Sequence, residues 1–190
     1  MKTSNSARSV NRSRRQFLVA TAAAGGGLAL GIDMPFGIAP AYGQVAAETG
    51  PEVTAWVVIK PDDTTIIRIA RSEMGQGSLT GLAQLVAQEL ECDWKKVTTE
   101  RPTAGQNFAR KRIWGAMSTG GSRGIRGSED YVRRGGAAAR MMLLQAAANE
   151  WNVPVGELTV ANGIITHKGS GRSTSYGKVA QAASQLTPPD

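Results

Sequence analysis

From residue 53 onward the apolar positions change period several times, and each change marks an element. Val53 to Ile59 is rich in Val, Ile and Trp and predicts a strand. Lys60-Pro61-Asp62-Asp63 is turn chemistry, because Pro presets one torsion and Asp bonds its own backbone. Thr64 to Ala70 predicts a second strand, so residues 53–70 predict a hairpin. Leu79, Leu82, Leu85, Val86 and Leu90 recur at helical spacing, with Ser78 placed to cap the first turn. Val97 to Arg101 predicts a short strand, and residues 102–124, rich in Gly, Ser, Thr and Asn, predict irregular chain. A long helix follows from Ser128 to Asn149, with Val132, Ala139, Met142, Leu143 and Ala146 along one side. Gly135-Gly136 inside it costs about 1 kcal/mol per residue relative to Ala, which predicts close packing against another backbone. Leu158 to Ala161 and Ile164 to His167 flank Asn162-Gly163, the composition of a tight primed turn, and predict a second hairpin. Ser175 to Gln185 predicts a closing helix. This order predicts an α+β fold, a mixed sheet with helices packed on one side.

The N-terminus follows another pattern. Ser13-Arg14-Arg15-Gln16-Phe17-Leu18 resembles a twin-arginine export signal, and a weakly apolar stretch runs from Val19 to Ile32. That stretch is too short and too glycine-rich for a membrane span. Ala39-Pro40-Ala41 then has the small-x-small form that a signal peptidase reads. The expected organisation is a twin-arginine signal over 1–41, a linker over 42–52 and a folded portion over 53–186. Residues 187–190 read as the start of a further linker, the chain being a truncated part of something longer. The export machinery is an expected partner, and the expected location is periplasmic or periplasm-facing.

Charge and composition narrow the function. The first 41 residues hold five basic side chains and one acid, so they carry +4 of the net +7 and the remainder carries +3. No basic stripe interleaved with aromatics appears, which removes nucleic acid from the expected partners. Cys92 and His167 are each the sole residue of their type. A cysteine cluster or a histidine-rich metal site within this chain is therefore excluded, and a metal must arrive already wrapped in an organic ligand.

Two glycine-rich loops carry the candidate chemistry. In Ser72-Glu73-Met74-Gly75-Gln76-Gly77, Gly75 and Gly77 allow a flat ligand to approach the main chain, and Gln76 offers one acceptor and two donors. In Ser118-Thr119-Gly120-Gly121-Ser122-Arg123-Gly124, backbone N–H groups near a helix start, hydroxyls and an arginine favour an anionic group. Together these loops read as two walls of a cofactor slot.

Glu73-Met74-Gly75-Gln76-Gly77 resembles a molybdopterin-binding segment of the xanthine dehydrogenase and aldehyde oxidase family. Thr119-Gly120-Gly121-Ser122-Arg123 resembles the next cofactor-contacting segment. The ordered set, following a twin-arginine signal, is similar to the branch of isoquinoline 1-oxidoreductase large subunits and exported aldehyde dehydrogenases. The resemblance implies molybdopterin with molybdenum, its cytosine dinucleotide form left open. It also implies oxidation of a small-molecule aldehyde or electron-poor N-heterocycle, with water as the oxygen source. The implied partners are a small subunit carrying 2Fe-2S centres and a cytochrome c subunit. Gly75, Gln76 and Gly77 would contact the cofactor, and Gly120, Gly121, Ser122 and Arg123 would line its dithiolene or phosphate end. The family's catalytic base is a glutamate late in a much longer chain. No residue here matches it, so no catalytic residue is assigned, Glu73 included, and the chain alone is expected to be inactive.

Two other readings stay open. Gly75-x-Gly77-x-x-x-Gly81 between strand and helix also fits a dinucleotide-binding turn, with Glu100 as the ribose acid. Against it, Ser72-Glu73-Met74 separates strand from glycines, and the opening hairpin differs from a βαβ unit. The third reading is a non-catalytic exported module. Elsewhere the plain interpretation is preferred: Arg126, Arg133 and Arg134 solvated, Cys92, Trp94 and Trp151 in packing, Met141-Met142 in helix core, and His167 on a hairpin surface.

Overall fold

A computed structural model describes residues 50–189. The expected export signal and most of the linker after it lie outside the described residues. The chain divides into two units, Met1–Val45 and Ala46–Asp190, and the described residues all belong to the second.

The expected first strand is broken in two. β1 (Glu52–Thr54) and β2 (Val57–Ile59) pair antiparallel around a corner at Ala55-Trp56. Tertiary packing causes the break: the Trp56 ring leaves the sheet to stack at 5.2 Å on Tyr131 and to cover Gly135. β3 (Thr65–Arg68) pairs antiparallel with β2 across the predicted turn, which Asp62 closes by accepting from the Thr64 N–H at 2.9 Å. β4 (Val97–Glu100) lies parallel to β3, completing a mixed sheet of order β1-β2-β3-β4. The helix between β3 and β4, α1 (Ser78–Leu90), buries Leu82, Val86 and Leu90 on the sheet, the face its spacing predicted.

The 102–124 stretch contains a short helix that the composition hid, α2 (Ala104–Ala109). Thr103 and Gln106 form a reciprocal capping box at its start, a sequence signature overlooked among the small residues. α3 (Glu129–Trp151) runs two residues past its expected end, to a left-handed Asn152. Its glycines face two different elements. A Cβ on Gly135 would stand 2.5 Å from the Trp56 ring, and one on Gly136 would stand 2.6 Å from the Val86 carbonyl oxygen of α1.

The second hairpin forms as expected from β5 (Leu158–Ala161) and β6 (Ile164–His167), with Asn162 and Gly163 both left-handed. A third strand, β7 (Arg172–Ser175), makes it a separate antiparallel sheet. The closing helix, α4 (Tyr176–Ala183), follows directly. Its Tyr176 hydroxyl donates to the Leu90 carbonyl at 2.7 Å, so the small sheet is anchored at the end of α1. One face of the mixed sheet thus packs on α1, α3 and α4 through a continuous core including Val57, Ile67, Leu143 and Val179.

Several side chains differ from expectation. His167 is buried between Glu157 and the turn that carries Gly169 and Ser170. Trp94 is exposed, and of the methionine pair only Met142 is buried. Cys92 is partly buried, and burial pushes its thiol up to about 11, as befits a packing residue. Among the described residues no helix is long and apolar enough to cross a membrane.

The outer face of the sheet near β1 and β3 carries an ion network. Register places Arg68 beside Glu100, and Arg68 also reaches Glu52, which in turn holds Arg110. The Trp114 ring lies 5.2 Å from the Arg110 guanidinium. Burial opposes ionising Glu52, but bonds from Arg110 and Arg68 outweigh it and hold the carboxyl below its ordinary value. A carboxyl depressed in the folded state stabilises the fold above its ordinary value of 4.5 and loses that contribution as pH falls through the folded value. Urea midpoints should therefore be level from about pH 7 to 5 and fall below about pH 4. Glu52→Gln should flatten that fall, and an equally steep decline in the variant would remove Glu52 as its source.

Candidate functional site

The two candidate loops meet beyond the end of β3, where Ser72 bonds to Met117 and Thr119. The first joins β3 to α1, and its shape comes from side chains folded back on their own backbone. The Glu73 carboxylate accepts from the N–H groups of Gly75 at 2.8 Å, Gly77 at 3.0 Å and Leu79 at 2.9 Å. The Leu79 and Gly77 amides hold this carboxyl below its ordinary value. Gly75 and Gly77 adopt φ of 94° and 77°, in the left-handed region that a Cβ disfavours. Gly77, not Ser78, is the N-cap of α1; Ser78 is its first residue and is buried.

Gln76 is placed differently from the expectation of an outward amide. Its Oε1 accepts from the Met74 N–H at 2.7 Å, while its Nε2 donates to the Ser72 carbonyl at 2.8 Å and to the Ser78 hydroxyl. The side chain is a brace within the loop. Among the described residues, the Gln76 main-chain N–H has no acceptor, whereas those of Met74, Gly75 and Gly77 are all engaged.

The second loop rests on the first through Ser72. The Ser72 N–H and hydroxyl both donate to the Met117 carbonyl, at 2.8 and 2.9 Å, and the Thr119 hydroxyl donates to the Ser72 carbonyl at 2.7 Å. Gly124 packs against Ser78, where an added Cβ would meet that of Ser78 at 3.4 Å. Sequence reading missed the residue that shapes this loop most. Arg71, 8% exposed, donates through Nε to the Ser128 hydroxyl at 2.7 Å, through Nη1 to the Ser118 carbonyl at 2.7 Å and through Nη2 to the Gly127 carbonyl at 3.4 Å. All three acceptors are neutral, so its positive charge is left uncompensated by them. The available signal was a second arginine, three residues after Arg68 and directly after Ile69-Ala70, where the chain is still buried.

Arg71, Ser118, Thr119, Gly120 and Arg123 line a recess of about 360 Å³. Gly121 and Ser122 follow each other in left-handed backbone, at φ of 58° and 56°, and the Arg123 N–H returns to the Gly120 carbonyl at 3.2 Å. The start of α3 is a different matter from the one expected. A turn over 125–128 intervenes, and Glu129 and Asp130 occupy the first helical turn, so the positive element beside the loop is Arg71 and not that helix end. The main chain is open on the Cβ side at three glycines of the two loops: a Cβ at Gly75, Gly77 or Gly120 would meet nothing within 4 Å.

The dinucleotide reading fares unevenly. β3, α1 and β4 do form a parallel βαβ crossover, so the opening hairpin was no argument against it. Glu100, however, is 7% exposed and paired with Arg68 at 3.0 Å, which leaves it no freedom to hold a ribose.

Comparison with known proteins agrees with the family resemblance. The chain is 34% identical over 176 residues to the isoquinoline 1-oxidoreductase subunit beta of Brevundimonas diminuta, an alignment covering 90% of this chain and 22% of that protein. It is 32% identical over 170 residues to the membrane-bound aldehyde dehydrogenase [pyrroloquinoline-quinone] of Gluconacetobacter polyoxogenes, covering 88% of this chain and 21% of that one. The chain thus spans about a fifth of the length of these relatives. Quinoline 2-oxidoreductase from Pseudomonas putida 86 shares the fold at a TM-score of 0.50 and 21% identity, covering 66% of this chain and 15% of that one. The family model described as molybdopterin cofactor-binding domain matches residues 7–189, and the chain belongs to that family.

Proposed function

We propose that the two loops form one wall of a molybdopterin site within a molybdenum-dependent oxidoreductase. Its substrates in this reading are aldehydes or electron-poor N-heterocycles, with water as the oxygen source. The observation that carries it is Gly120. Its backbone does not require glycine, no neighbour within 4 Å excludes a Cβ, and yet it lines the recess beside Arg71, Ser118 and Thr119. A glycine in that setting is explained by close approach of a ligand to the main chain.

When bound, the cofactor supplies the redox centre for substrate hydroxylation. Gly75, Gly77 and Gly120 let its flat part lie against the chain, and the Gln76 main-chain N–H donates to it. Gly121, Ser122 and Arg123, with Arg71 behind them, hold its anionic end, a phosphate that the shorter and the cytosine dinucleotide forms share. The Glu73 carboxylate is committed to three amides and is no base. The Brevundimonas relative is named a beta subunit, which supports further subunits, here a small subunit with 2Fe-2S centres and a cytochrome c. The membrane-bound relative supports a periplasm-facing location, reached in this reading by the twin-arginine route that Arg14-Arg15 suggests. That relative's name carries pyrroloquinoline quinone, but the family match favours molybdopterin.

The test is Gly120→Ala, in protein purified with its partner chains from a host that makes the cofactor. Folding stability should stay within about 0.5 kcal/mol of wild type. Molybdenum and pterin per chain should fall about fivefold or more, because one methyl group overfills the contact. Undiminished molybdenum and pterin in this variant would refute the reading.

A further inference from the structure

We propose that Glu73 is a positioning residue, whose carboxylate holds the 75–77 turn in the form that turns the Gln76 main-chain N–H outward to the cofactor. The inference rests on the reading that this loop faces molybdopterin, and adds to it a residue with no expected role.

The geometry is that of a clasp. One carboxylate oxygen takes the N–H groups of both left-handed glycines, and the other reaches forward to Leu79 inside the first turn of α1. The N-cap of α1 is Gly77, which has no side chain to bond the helix's free amides, so Glu73 supplies that function from four residues upstream. An ionised oxygen is a stronger acceptor for these amides than a neutral one, and it complements the positive end of the helix.

The clasp also determines which groups remain for a ligand. Freed of Glu73, the Gly75 and Gly77 amides would be donors pointing in whatever direction two glycines allow. With Glu73 in place, both are engaged and the turn is left with one main-chain donor that has no acceptor among the described residues, at Gln76. Gln76 braces the turn on its other side through Ser72 and Ser78, bonds that do not involve Glu73. Loss of Glu73 should thus loosen the turn without unfolding the helix.

The experiment compares Glu73→Ala, Glu73→Gln and wild type in the protein purified with its partner chains. It reads molybdenum and pterin per chain, and amide hydrogen exchange of the peptide spanning 74–80. The alanine variant should exchange about tenfold faster in that peptide alone and hold about fivefold less molybdenum. The glutamine variant keeps one carbonyl oxygen for the two glycines and should lie between. Wild-type molybdenum in an alanine variant with fast exchange would reduce Glu73 to a helix cap and overturn the proposal. Unchanged exchange would show the clasp is not made, and would overturn it too. If wild type itself purifies without molybdenum and pterin, the underlying cofactor reading fails, and the proposal with it.

Discussion

Replacing Arg71 with methionine is expected to lower folding stability by about 1–3 kcal/mol, from the loss of charge-assisted bonds to one buried and two part-buried acceptors. The stem of the side chain is replaced well, so the cost is polar. The Ser118 and Gly127 carbonyls lose their donor, and the Ser128 hydroxyl keeps only the bond from Tyr131. These three acceptors lie on both sides of the 119–126 segment, so Arg71 pins the base of the glycine loop to the end of β3. Molybdenum retention should fall further than stability alone explains, because the recess also loses its buried positive charge. Arg71→Lys separates the two effects: it keeps the charge but cannot fork to three acceptors. It should recover part of the molybdenum while remaining destabilised. Urea midpoints and metal analysis read both quantities, and a methionine variant as stable as wild type would discard the strut.

The second large effect is expected at Gly136. In an ordinary helix interior, Gly→Ala gains about 1 kcal/mol. Here the new methyl group would stand 2.6 Å from the Val86 carbonyl oxygen and 3.2 Å from the Val86 Cα, which are backbone atoms of α1. Backbone cannot rotate away as a side chain can, so α1 and α3 must separate, and Gly136→Ala should destabilise by about 1–3 kcal/mol net. Gly156→Ala is the control, since its Cβ would meet nothing within 4 Å and no left-handed torsion is involved. Thermal unfolding of the two variants distinguishes them, and a Gly136→Ala protein that melts with or above wild type would show that the helices are not in backbone contact. Because α1 and α3 each begin just after one of the two glycine loops, separating them should also part the loops.

Periodicity was enough for α1, α3, the second hairpin and the α+β class, since each depends on contacts between residues near in sequence. The Asn162-Gly163 turn was legible for the same reason: two left-handed residues are a local demand. The capping box of α2 was equally local, and was missed only because Gly, Ser and Thr around it resemble loop. The break between β1 and β2 was not legible. Val53 to Ile59 has strand composition throughout, and only the place of Gly135, some eighty residues later, pulls Trp56 out of the sheet.

The site divides along the same line. Residue type and order alone marked Gly75, Gln76, Gly77 and Gly120 to Arg123 as two candidate ligand loops, and suggested a pre-wrapped metal, because close approach requires glycine and the chain lacks the His and Cys for bare coordination. Which atoms of those loops face outward was decided only in three dimensions. Gln76 turns its amide inward because Ser72 and Ser78 lie within its reach, and Glu73 and Arg71 hold the loops because their targets are backbone groups, which carry no residue letter. A hydrogen bond to main chain leaves no trace in sequence, and the arrangement of this site consists largely of such bonds.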